Sequence, residues 1–154
     1  MDSSKTRSSK QKKNKPSPRR DGREAAVQFL FGCDCQDELH GTPEEMDSFW
    51  NLRQARSFAR DFGTEIVRGV LSHLPEIDTI IRDRLQNYKF HRLTPVDRNI
   101  LRVGTYEIVF NDDIPSPVAL NEAIEIAKRF GTDDSPKFVN GILDRILKDH
   151  PAKS

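Results

Sequence analysis

Two cysteines, two tyrosines and a single tryptophan are all that this 154-residue chain holds of those types, and its gaps narrow its chemistry. Cys33 and Cys35 stand two apart, a spacing that turns the side chains to different faces of a helix and argues against a disulfide between them. They read as small apolar residues closing a helix, and a reducing cytoplasm is the expected compartment. His40, His73, His91 and His150 are scattered, without a second histidine or a carboxylate at metal-ligand spacing, and Cys33-x-Cys35 has no second ligand pair. No glycine-rich phosphate loop is present. These absences point away from catalysis, and no metal or other cofactor is expected. The first residues lack the apolar run of a signal peptide and no segment reaches the length of a membrane span, so no membrane partner is expected either.

What is present is an uneven distribution of charge. The formal net charge is +1, yet Met1 to Arg20 carry eight basic residues against Asp2 alone, a net +7 that leaves −6 for the rest. This opening stretch holds five serines, two prolines and no aromatic residue, too little apolar surface to order itself, so residues 1–18 read as a disordered basic arm. The remainder is long enough to bury a core without metals or disulfides.

From Gly22 onward the apolar spacing is helical almost throughout. Ala26, Phe29, Leu30 and Cys33 fall at i, i+3, i+4 and i+7, one buried stripe of a first helix. Thr42-Pro43-Glu44-Glu45 is a capping box opening a short second helix toward Trp50. Phe58, Phe62, Ile66 and Val70 mark a long third helix, and Ile77, Ile80, Ile81 and Leu85 a fourth from Pro75 to about Asn87. Thr94-Pro95, Ser116-Pro117 and Ser135-Pro136 each pair a hydroxyl able to cap a helix with a ring suited to its first turn. The helix after Thr94 is apolar on two faces, Ile100, Val103 and Phe110 on one and Leu101, Gly104 and Ile108 on the other, and so belongs in the centre. Gly104 costs about 1 kcal/mol relative to alanine, which the close approach of another helix explains. Leu120, Ile124 and Ala127, then Val139, Ile142, Leu143 and Ile146, complete the set, with Gly131 as a left-handed stop between them. Residues 19–150 thus form one all-α domain, a compact bundle of about six or seven helices.

Two regions carry candidate function. Arg19, Arg20 and Arg23 sit where the arm gives way to the first helix, and cations there oppose the helix dipole. An anion resolves the conflict, since arginine forks and helix-start amides converge on one phosphate. Lys5 to Lys15 read at least as well as a solvated tail, because scattered lysines make only sequence-blind phosphate contacts. The second region is Gly131 to Phe138 with Lys128 and Arg129 before it. Lys128 and Arg129 suit a helix end, Asp133 and Asp134 a helix start, and Phe138 a core position. A phenylalanine beside Lys137 at a helix start equally suits stacking on an unpaired base. The residues alone leave both readings open.

Three stretches carry a family resemblance: Arg23-Glu-Ala-Ala-Val-Gln28, Asn121-Glu-Ala-Ile-Glu-Ile-Ala-Lys128 and Lys137-Phe-Val-Asn-Gly-Ile-Leu-Asp144. With Arg102, Tyr106 and Glu107 in the central helix, they make the chain resemble the NusB transcription antitermination factors of bacteria from about Arg19 to Leu147. The resemblance implies a helical, non-catalytic RNA-binding protein. It would pair with the ribosomal protein NusE, bind single-stranded boxA RNA in ribosomal RNA leaders, and act on the RNA polymerase elongation complex with other Nus factors. By the same resemblance Arg19, Arg20 and Arg23 match the arginine-rich RNA-contacting start, and Lys137 and Phe138 match positions near that RNA. Asp134 matches an acidic position that tunes RNA affinity, and Asp97, at the exposed third position of the central helix, a carboxylate facing NusE. Asp21 and Gly22 interrupt the arginine run, which implies a looser helix start. Some relatives pair with themselves, so a homodimer stays open. A competing reading is a non-catalytic interaction module whose acidic helical body docks a basic partner, with no specific RNA role for the arm.

Overall fold

The computed structural model of the chain describes residues 17–36, 40–86 and 89–151. These residues fold into seven α-helices without a strand among them: α1 (Pro18–Cys35), α2 (Pro43–Leu52), α3 (Ser57–Ser72), α4 (Leu74–Arg82), α5 (Pro95–Thr105), α6 (Ser116–Phe130) and α7 (Ser135–Asp149). A 3₁₀ turn at Phe90–Arg92 precedes α5, and a π-helical segment, Tyr106–Phe110, continues it. The central placement of α5 is as its two apolar faces require. Ile100, Leu101, Val103 and Ile108 are all buried, and the helix contacts α1, α4, α6 and α7. A Cβ added at Gly104 would stand 2.6 Å from Leu143 Cδ1, so the glycine is what lets α7 lie against it.

Helix starts differ from expectation in instructive ways. Thr42 and Thr94 cap as their sequences imply, accepting from the amides of Glu45 and Asp97 at 3.2 Å each. Ser116 and Ser135 instead occupy the first helical position. The Ser116 hydroxyl is buried with no hydrogen-bond partner among the described residues, and Ser135 Oγ accepts from the Thr132 amide at 2.9 Å. A fifth hydroxyl and proline pair governs α1, where Ser17 Oγ accepts from the Arg20 amide ahead of Pro18. The helix therefore begins four residues before Gly22, and Arg19 and Arg20 are helical. Of the expected arm, residues 1–16 lie outside the described residues, and Ser17 and Pro18 already belong to the helix start. α4 ends at Arg82, short of Asn87, and leaves Leu85 in the following turn. Gly131 is extended (φ −91°) rather than left-handed, and glycine is suited there because a Cβ would collide with Ser135. Cys35 is exposed and only Cys33 packs on the core.

Two glycines set the geometry of the molecule's α1 end. A Cβ at Gly22 would lie 2.8 Å from the Ala59 carbonyl oxygen, and one at Gly63 would lie 2.8 Å from the Gly22 oxygen. The backbones of α1 and α3 thus touch, and Gly22 tightens the helix start that it was expected to loosen.

Candidate nucleic-acid interface

The contact between α1 and α3 determines what the arginines of α1 can reach. Arg23 follows the apolar stripe inward and is only 2% exposed. Its Nε and Nη2 donate to the two carboxylate oxygens of Glu107 at 2.7 and 3.0 Å, and Glu107 is itself 1% exposed. The guanidinium also covers the Phe62 ring at 5.1 Å. Such a fork-to-fork pair satisfies both charges inside the bundle, so Arg23 is a structural residue and not, as its place near the helix tip suggests, a surface cation for RNA. Arg20 is partly exposed and donates from Nε to Glu122 Oε2 at 2.7 Å, a bond that raises its already high pKa. Arg19 is exposed, and among the described residues no carboxylate pairs with it.

The second candidate region forms a groove. Asp134, Lys137 and Phe138 line it with Arg84, Gln86 and Arg145, and its volume is roughly 350 Å³. Lys137 is exposed and has no carboxylate partner among the described residues, whereas Phe138 is half-buried and packs on the core. The phenylalanine thereby anchors α7 and also lines the groove. Arg84 is held in place by Asp149 at 2.7 Å, and the Arg145 guanidinium donates to the Arg84 carbonyl at 3.1 Å. Neither arginine is conspicuous in the sequence, because one follows α4 and the other lies on α7, and only the packing of those helices joins them. No residue of α1 lines the groove among the described residues, and Arg23, being buried, does not join Lys137 in a surface cradle.

The end of α6 lies between the two cationic regions along the chain. Lys128 is exposed and paired with Glu125 at 3.2 Å. Arg129 reaches Glu24 of α1 at 3.1 Å, and burial pushes the Glu24 carboxyl above its ordinary pKa while Arg129 opposes the rise. From Arg129 the loop 131–134 leads directly to Lys137.

Asp97 stands at the start of α5. It is half-buried rather than exposed, and Oδ1 has no hydrogen-bond donor among the described residues. Beside it runs a fully engaged network, in which Arg98 donates to Asp34 at 2.7 Å and Arg102 forks onto Asp78 at 2.9 and 3.0 Å. Among the described residues no group of histidine, cysteine and carboxylate side chains could hold a metal, and no helix is long and apolar enough to cross a membrane.

The chain is 45% identical over 132 residues to the transcription antitermination protein NusB of Desulfotalea psychrophila, covering 83% of this chain and 94% of that one. The fold is similar to that of T. maritima NusB, with a TM-score of 0.75 and 40% identity over 88% of this chain and 94% of the other. It is also similar to a structure of the antitermination factors NusB and NusE in complex with dsRNA, with a TM-score of 0.76 and 27% identity over 86% and 97% of the two chains. Residues 20–148 match the NusB family. With that match running through most of the chain and relatives at this level of identity, the chain belongs to the NusB family.

Proposed function

We propose that the chain is an RNA-binding transcription antitermination factor that takes up boxA-type single-stranded RNA of ribosomal RNA leaders together with NusE, within the RNA polymerase elongation complex. The observation that carries this reading is the groove at the start of α7. Its floor includes the Phe138 ring, its wall carries Lys137 without a carboxylate partner, and Arg84 and Arg145 add two fixed guanidinium groups. An unpaired base stacks on an aromatic face while the flanking phosphates meet cations, which a paired duplex does not permit. Arg19 extends the positive surface, Arg20 and Lys128 join it where phosphate displaces their partners Glu122 and Glu125, and Asp134 at the groove edge moderates affinity by repelling phosphate. For the protein partner, the half-buried Asp97 at the start of α5 supplies a carboxylate that a basic group can meet.

The salt dependence of binding tests the assignment. Each phosphate engaged on a single strand adds about 0.7 to the slope of log affinity against log salt concentration. Replacing Arg19, Arg20 and Lys137 by glutamine, singly and together, is expected to flatten that slope in proportion to the number of phosphates no longer neutralised. A slope unchanged in the triple variant removes these side chains from the interface.

A further inference from the structure

One aromatic residue faces solvent beside the α1 tip. Phe58, in the first turn of α3, is 52% exposed, although its i+4 and i+8 neighbours Phe62 and Ile66 turn inward. Its ring lies parallel to that of Phe62, with centroids 6.0 Å apart and planes at 11°. The Arg19 guanidinium stands 6.0 Å from the Phe58 centroid, as Arg23 stands 5.1 Å from that of Phe62. Arginines one turn apart on α1 are therefore matched to phenylalanines one turn apart on α3, in the register fixed by Gly22 and Gly63. The inner rung is sealed by Glu107, while the outer one is open.

The charges around the outer rung select its occupant. Arg20 and Arg53 are neutralised by Glu122 and Asp21. Arg19, across from the ring, and Arg56, two residues before it, have no carboxylate partner among the described residues. Six further basic residues precede Ser17, where the described chain begins. A half-exposed aromatic ring set among uncompensated cations suits a ligand that is flat, aromatic and anionic, which describes a nucleotide of an unpaired strand.

We propose that Phe58 and Arg19 form a second stacking platform, which takes one base of the bound RNA strand at the α1 tip, apart from the Lys137 and Phe138 groove. The inference rests on the RNA-binding reading above. Phe58 supplies the stacking face, Phe62 backs its ring, and Arg19 meets the adjoining phosphate.

The test uses the full chain and a single-stranded boxA-type RNA followed by fluorescence anisotropy. Phe58→Leu is expected to weaken binding roughly five- to a hundredfold, the range seen when one base loses its aromatic partner, and Phe58→Tyr to restore it. Because leucine stays apolar, loss with leucine and recovery with tyrosine separates stacking from helix packing, and melting curves of both variants confirm that they are folded at the assay temperature. The salt slope should stay unchanged in Phe58→Leu and fall by about 0.7 in Arg19→Gln. Wild-type affinity in Phe58→Leu, with Lys137→Gln weakened, overturns the platform and leaves the groove standing. Wild-type RNA affinity combined with weakened binding of the protein partner overturns it in favour of a protein contact. Failure of the wild-type chain to bind RNA at all removes the underlying reading, and the platform with it.

Discussion

Arg23→Ala is expected to destabilise the fold by about 3–5 kcal/mol, because it strands the Glu107 carboxylate in the interior without its fork. Against the roughly 5–15 kcal/mol that stabilises an ordinary domain, such a loss is large, and it should lower the melting temperature by roughly 10–20 °C. The paired replacement Arg23→Met with Glu107→Met should recover most of the loss, since it removes both charges of the buried fork together. Thermal melts of the two variants check this directly. RNA affinity of the paired variant, measured where it is folded, should stay near wild type, because Arg23 presents almost no surface to a ligand. A clear affinity loss there would return Arg23 to the RNA interface.

The second large effect is expected at the other buried fork. Arg102 is 4% exposed, bonds both oxygens of Asp78, donates to Asn99 Oδ1 at 3.1 Å and covers the Phe90 ring at 5.3 Å. It therefore fastens α4 and the 3₁₀ turn to the central helix. Arg102→Ala should cost about 3–5 kcal/mol and speed hydrogen exchange in α4 before the rest of the bundle. Arg102→Lys should recover little, because one ammonium cannot reproduce a planar fork on two carboxylate oxygens while also covering a ring. A lysine variant that melts and exchanges like wild type would show that charge alone suffices.

These two arginines also show where the sequence is legible and where it is not. Helix positions follow from apolar periodicity, and the burial of Gly104 from the cost of glycine in a helix. Period also holds the answer for Arg23, which lies three residues before Ala26 on the same stripe, just as Glu107 lies three after Gly104 on a buried face of the central helix. Two opposite charges at interior positions of two helices call for each other. The nearness of Arg23 to the helix tip hides this by making it look like a companion of Arg19 and Arg20. Gly22 is deceptive for a related reason. Its cost to an isolated helix is visible in the chain, whereas the Gly63 backbone that it accommodates is forty-one residues away and becomes apparent only on folding. Lys137 and Phe138 stand out by being adjacent. Arg84 and Arg145, the other cations of their groove, do not, because packing of α4 against α7 joins them.

The burial of Arg23 divides the basic character of α1 between two tasks. Its inner arginine builds the fold and its outer ones face solvent. On the proposed reading, the cations of α1, of the end of α6 and of the α7 groove are separate stations along the chain, an arrangement suited to an extended strand. Titration of a boxA single strand and of a scrambled strand of equal length, each with and without NusE, addresses this most directly. Tighter binding of the boxA strand, with the preference strengthened by NusE, is the predicted result. Equal affinity for the two strands in both conditions would contradict sequence-selective recognition.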